Sequence, residues 1–181
     1  DTFLISTGKG KVRAGVFSRH HLLTTGLEPA TALPLIYEAR NRGMNCVVID
    51  PNARGDRVGM NTFEASIRGL FEQQHSVPQF SENDDTTTTR PILPANNNGS
   101  IYVLAHSAAG GQLVRYFLDQ QKDALLLSRI RGIAFSDSTH SIQWLKQHPH
   151  ISQMIQSSNA LYVRSANKMR DDDWEKIVAG S

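Results

Sequence analysis

Ser100-Ile101-Tyr102-Val103-Leu104-Ala105-His106-Ser107-Ala108-Ala109-Gly110-Gly111 is the stretch that decides how this chain folds. Residues 101–105 form a short run dominated by apolar side chains, which reads as a strand. From Ala108 to Gln121, Leu113, Val114, Phe117 and Leu118 recur at helical spacing. Between the two lies a tight turn of small residues with a serine at its apex. The same alternation continues on both sides. Downstream, Ile130–Phe135 is a strand, and helical spacing then runs through Ile142, Leu145, Ile151, Met154 and Ile155, broken near His148-Pro149. Ala160–Val163 reads as a last strand and Asp171–Val178 as a short terminal helix. Upstream, residues 62–74 carry Phe63, Ile67, Leu70 and Phe71 on one helical face. Cys46-Val47-Val48-Ile49 is a strand closed by the turn residues Pro51 to Gly55. Before it, Ala30–Arg42 is helical, with Pro29 in its first turn and Gly43 ending it. Residues 12–23 read as a strand or a pair of short strands, broken by Thr24-Thr25-Gly26.

Short apolar runs without alternation are buried on both faces, as in parallel sheets. Strands alternating with helices predict βαβ units. The expectation is therefore an α/β fold: a doubly wound, mostly parallel sheet with helices on both faces. Residues 78–99 break the pattern with Asn83-Asp84-Asp85, four threonines, Pro91, Pro94 and Asn96-Asn97-Asn98-Gly99. They read as a mobile surface insertion, disordered over 81–99, within a single domain spanning 1–181.

With 19 basic and 17 acidic side chains, the net charge of +2 gives no global field for nucleic acid or an anionic membrane. No stretch of 18 apolar residues is present, and the start shows no basic segment followed by an apolar one, so neither a membrane span nor a signal peptide is expected. The lone Cys46 rules out an intrachain disulfide; its apolar run reads as a buried core thiol. His20-His21 and His148-Pro149-His150 lack partners at metal-binding spacing, and no phosphate-loop or dinucleotide signature occurs, so no metal or cofactor is expected. The single cysteine fits a reducing compartment, and the location expected is intracellular, nuclear or cytoplasmic. Arg129, Arg131, Arg164, Lys168 and Arg170 form a basic set suited to weak RNA contact or to an acidic partner; a solvated face explains them as well.

Open α/β sheets bind ligands beyond the carboxyl ends of their strands. Ser107 lies there, in the strand–turn–helix setting of the G-x-S-x-G nucleophile elbow, with Ala105 and Ala109 in place of the glycines. The other reading is a helix-capping serine at a small-residue junction. As a nucleophile, Ser107 needs an oriented base. The candidates past the next strand are Asp137 as acid, which is equally suited to cap a helix, and His140 as base. The backbone N–H of Ala108 and one from the loop after the first strand, near Thr24-Thr25-Gly26, are the expected oxyanion donors. His106 adjoins the serine, but neighbouring elbow side chains point apart.

Three segments together, Cys46–Asn52, His106–Gly111 and Gly132–His140, resemble the Arb-two (Argonaute-binding protein two) domain family over about residues 11–170. The resemblance implies an α/β-hydrolase-like fold and protein partners in complexes tied to RNA silencing, chromatin or mRNA processing. Position by position, it assigns Ser107 to the elbow serine, Asp137 to the acid and His140 to the histidine of the Asp-Ser-x-His segment. It also implies a further histidine shortly after Ser165-Ala166, where this chain has Arg170-Asp171. That departure favours a catalytically degenerate domain used for binding. The alternative is a serine esterase or acyl hydrolase acting on a small ester.

Overall fold

A computed structural model describes residues 1–8, 12–52, 59–71, 99–119 and 124–164. Its centre is a five-stranded, fully parallel sheet of order β2-β1-β3-β4-β5, formed by Thr2–Ser6 (β1), Asn45–Ile49 (β2), Ile101–His106 (β3), Ile130–Ser136 (β4) and Ala160–Val163 (β5). The expected α/β class and doubly wound sheet are thus present. The helices are Arg19–Thr24 (α1), Leu27–Ala30 (α2), Leu33–Asn41 (α3), Gly59–Phe71 (α4), Ala108–Asp119 (α5), Ala124–Arg129 (α6) and Pro149–Ile155 (α7), with a 3-10 turn at Ile142–Leu145.

The strand expected over residues 12–23 is a correction. The first strand is Thr2–Ser6, almost wholly buried between β2 and β3. Residues 12–18 instead cross the sheet end, with a single bridge between Val16 and Thr31, and residues 19–24 are helical. Ser18 caps the helix by accepting from His21 N–H, and Leu23 is exposed to solvent. The single helix expected over Ala30–Arg42 is α2 plus α3: Thr31 is extended, and Pro34 stands in the first turn of α3. The helix α6, which was not expected from the residue pattern, leads directly into β4. Cys46 is half-buried rather than in the core, and burial raises its thiol pKa. The expected insertion at 81–99 (apart from Gly99) and the expected terminal helix at 171–178 lie outside the described residues.

A right-handed crossover puts a helix on a face set by the direction of travel along the sheet. The connection β1 to β2 runs one way, and those from β2 to β3, β4 and β5 run the other. Accordingly α4, α5 and α7 share one face. Leu4, Ile49, Val103 and Ile133 point into it, against Phe63 and Ile67 of α4, Leu113 and Phe117 of α5, and Ile151 and Ile155 of α7. The segment from Gly15 to α3 covers β2 on the opposite face, where Gly15 lies against Val48 and Ala32. Among the described residues no helix is long and apolar enough to cross a membrane.

Candidate functional site

Two neighbouring central strands end in the same way. Ser107 after β3 has φ 55° and Asp137 after β4 has φ 46°, the left-handed region that non-glycine residues seldom adopt. Each still extends the ladder by one rung: Ser107 N–H donates to Ser136 O at 2.8 Å, and Asp137 N–H to Val163 O at 2.8 Å. The strain at Ser107 is held from both sides. Its carbonyl accepts from Gly110 N–H at 3.1 Å and from Thr139 N–H at 3.2 Å. The sharp turn sets the side chain at the sheet's carboxyl end and starts α5 immediately behind it. This is the elbow geometry expected at Ser107. The N–H groups of Ala108 and Ala109, in the first turn of α5, have no intrahelical acceptor and carry the positive end of the helix dipole.

The glycine pair beyond the serine has a definite role. A Cβ on Gly110 would collide with the Ser138 hydroxyl and lie 2.6 Å from Ser138 Cβ. One on Gly111 would lie 3.1 Å from Thr139 Oγ1. The turn after β4 therefore sits directly on the first turn of α5. Trp144 continues the contact, with the Arg115 guanidinium 4.7 Å above its ring.

On the other side of the elbow is a neighbour that the sequence reading left aside. A Cβ on Gly8 would lie 3.0 Å from Ser107 Cβ and 3.3 Å from its Oγ. The backbone beside the serine is thus the end of β1, and not Thr24-Thr25-Gly26, which closes α1 and opens α2. Asn52, buried past β2, holds this backbone: its Nδ2 donates to Gly8 O and to Val12 O, both at 3.0 Å. Its own N–H donates to Asp50 Oδ1 at 2.9 Å, an Asx turn that orients the amide. Gly8-Lys9-Gly10, shortly after the apolar triplet Phe3-Leu4-Ile5, was the one signal available for this approach.

His140 bonds to Ser138, with Nδ1 and Oγ 2.6 Å apart, and its backbone N–H donates to the same oxygen at 3.4 Å. Its ring packs on Phe135 at 4.4 Å and on Tyr162 at 5.6 Å between centroids. Burial, and secondarily the Arg164 guanidinium, pushes its pKa down to about 4. We therefore assign a neutral imidazole whose Nδ1 accepts from the Ser138 hydroxyl. Tyr162, half-buried like His140, has its pKa pushed up to about 12 by burial, and its hydroxyl donates to Ile155 O at 2.7 Å. His106 turns away from the serine: its Nδ1 is 3.3 Å from Ser136 Oγ, and its ring meets Phe17 edge-on. Ser107, Ala108 and Asp137 thus share one end of the sheet, while the His140 ring bonds to Ser138. His20 and His21 lie on α1 and His148 caps α7; among the described residues no three His, Cys, Asp or Glu side chains assemble as a metal set.

The depressed pKa has a consequence for stability. Unfolded, a histidine titrates near 6.5; folded, His140 titrates near 4. Above 6.5 both states are neutral and nothing is lost. As pH falls from 6.5 towards 4, only the unfolded state takes up the proton, and folding weakens. Urea unfolding at a series of pH values is expected to show this loss in the native protein and a flatter profile in His140→Gln. Equal slopes would mean that the ring is solvated.

No curated protein and no solved structure matches the chain. The family profile described as the Arb2 domain matches residues 1–169. With nearly the whole chain covered, and with the serine turn and the segment after β4 packed together as one unit, the chain belongs to the Arb2 domain family.

Proposed function

We propose that this is a hydrolase-like interaction domain: it keeps the elbow as a scaffold and binds protein partners in an intracellular complex linked to RNA silencing, chromatin or mRNA processing, without turning over an ester. Membership of the Arb2 domain family supports the setting. The observation that carries the loss of chemistry is the engagement of His140. A base for Ser107 needs its far nitrogen free to accept a proton and its near nitrogen oriented by a carboxylate. Here the near nitrogen is held by a neutral hydroxyl, Ser138 Oγ, and the ring packs at a tilt against both Phe135 and Tyr162. A proton taken up there would leave a cation in a half-apolar box beside Arg164, which the low pKa opposes.

A second reading, a serine esterase, draws on the strained φ of Ser107 and the close approach of Gly8. Labelling with a fluorophosphonate separates the two. The native domain and Ser107→Ala are expected to label alike, at background, with both variants folded. Labelling that depends on Ser107 would overturn the proposal and assign an activated nucleophile.

A further inference from the structure

The last strand of the sheet has a bare edge. β5 pairs with β4 on one side, and among the described residues no strand lies on its other side. Native sheet edges are guarded by a lysine, a proline, an inward charge or a bulge, because an open row of N–H and C=O groups pairs with any extended chain. Ala160-Leu161-Tyr162-Val163 carries no such guard within the strand. One face of it is also apolar and open. Leu161 is 60% and Val163 50% exposed. They stand in register with Ala134 and Ser136 of β4, on the sheet face away from α4, α5 and α7. At the other edge of the sheet, that same face is covered over β2 by the segment from Gly15 to α3.

The backbone of β5 defines what can pair there. Asn159 O accepts from Ile133 N–H at 3.0 Å, and Val163 O from Asp137 N–H at 2.8 Å. Polar groups alternate sides along a strand, so Leu161 also faces β4, while Ala160, Tyr162 and Arg164 turn theirs outward. Ala160 N–H is already taken by Ser157 O at 3.0 Å, which leaves its carbonyl. The Tyr162 ring leans back into the molecule: it stacks on Phe135 at 5.0 Å, and its hydroxyl reaches Ile155 O. The edge thus offers an acceptor at Ala160, an acceptor and a donor at Tyr162, and a donor at Arg164. Reversed end to end, that row is the complement of itself.

We propose that β5 pairs with β5 of a second copy of this chain, antiparallel, with Tyr162 on the two-fold axis. Each Tyr162 N–H then donates to the other Tyr162 carbonyl, and each Arg164 N–H to the other copy's Ala160 carbonyl. Opposed residues of an antiparallel pair share a face. Leu161 of one copy therefore meets Val163 of the other, and every exposed apolar side chain of the strand gains an apolar neighbour. The charges fit as well. The two Arg164 positions lie four residues apart along the strands, about 14 Å, beyond the Debye length of about 8 Å in physiological salt. A contact of one short strand falls well below the roughly 1,200 Å² of a standard interface, so the dimer is a weak one. Antiparallel pairing points the carboxyl ends of the two sheets, and with them the two elbows, in opposite directions. If the elbow region binds partners as proposed above, the pair is bivalent; the pairing itself does not depend on that reading.

Sedimentation velocity over a range of concentrations, up to millimolar, tests the pairing. The native chain is expected to pass from monomer to dimer. Leu161→Lys/Val163→Lys is expected to weaken the association at least about tenfold, a loss of about 1.4 kcal/mol, with an unchanged circular dichroism spectrum. The register has its own readout. In a Cys46→Ser background, Leu161→Cys/Val163→Cys should oxidise to a covalent dimer linked 161 to 163, whereas Leu161→Cys alone should not, because its two thiols lie on opposite sides of the axis. A native chain that stays monomeric throughout would overturn the proposal and mean that β5 is covered by another part of the chain or by a different partner. A dimer that survives the lysines, or one that cross-links 161 to 161, would overturn it by placing the contact elsewhere.

Discussion

Replacing Phe135 by alanine is expected to destabilise the domain by about 3–5 kcal/mol, the usual cost of removing a buried aromatic ring. In a protein of this size each kcal/mol moves the Tm by roughly 2–4 °C, so melting should fall by about 6–20 °C. The ring is 1% exposed and does three jobs at once. It stacks on Tyr162 at 5.0 Å with 20° between planes, which ties β4 to β5. It floors His140 at 4.4 Å. It also approaches the backbone of Gly110, where an added Cβ would lie 3.2 Å from its Cδ1. The loss should therefore be larger than that of an apolar residue away from the elbow, and a second readout should move with it: the His140 pKa should rise towards its ordinary value as water reaches the ring. Urea unfolding gives the first quantity and histidine NMR titration the second. A cost under about 1 kcal/mol would mean that the packing described at this end of the sheet is wrong.

Gly110→Ala is expected to cost about 2–3 kcal/mol, although alanine is ordinarily the better helix former by about 1 kcal/mol. The sign reverses because the new methyl must occupy the position of the Ser138 side chain. The effect should therefore depend on that one neighbour. In Ser138→Gly the same Gly110→Ala change should cost far less, a coupling of at least about 1 kcal/mol in a double-mutant cycle. Equal costs in both backgrounds would place the strain elsewhere, in Phe135 or the α5 backbone.

Much of this architecture was legible in the sequence, for a physical reason. The runs at Cys46–Ile49, Ile101–Ala105, Ile130–Phe135 and Ala160–Val163 are dominated by apolar residues because one face of the sheet packs on α4, α5 and α7, although Leu161 and Val163 of the edge strand are exposed on the other, and such runs are recognised without knowledge of their partners. The elbow at Ser107 was legible as well, since only small residues fit beside so sharp a turn. Strand β1 was not. Its ends are Thr2 and Ser6, and what makes it a strand is its place between β2 and β3, both distant in the chain. The β-branched residues near Val12 and Val16 offered a competing local signal, and local signals do not report pairing. The role of Gly110-Gly111 was half-visible. That the helix is approached closely could be read; that Ser138 and Thr139 make the approach could not, because they arrive from the next βα turn. Asn52 and Gly8 were missed for the same reason: their contact spans 44 positions, and neither residue belongs to a periodic pattern.

The central position of β1 also bears on the order of assembly. Its first rung to β3 is fixed where Ser100 N–H meets Asp1 Oδ1, a separation of 99 positions. Loop closure of that length must precede any reward from the contact, which slows the search. During synthesis β1 can find β2 early, but a two-stranded parallel ribbon has an open edge and no second layer. That edge is closed only when β3 has left the ribosome, and by then the turn that carries Ser107 follows within a residue. The elbow is thus built at the moment the sheet becomes cooperative, and folding of the site and folding of the domain are one event.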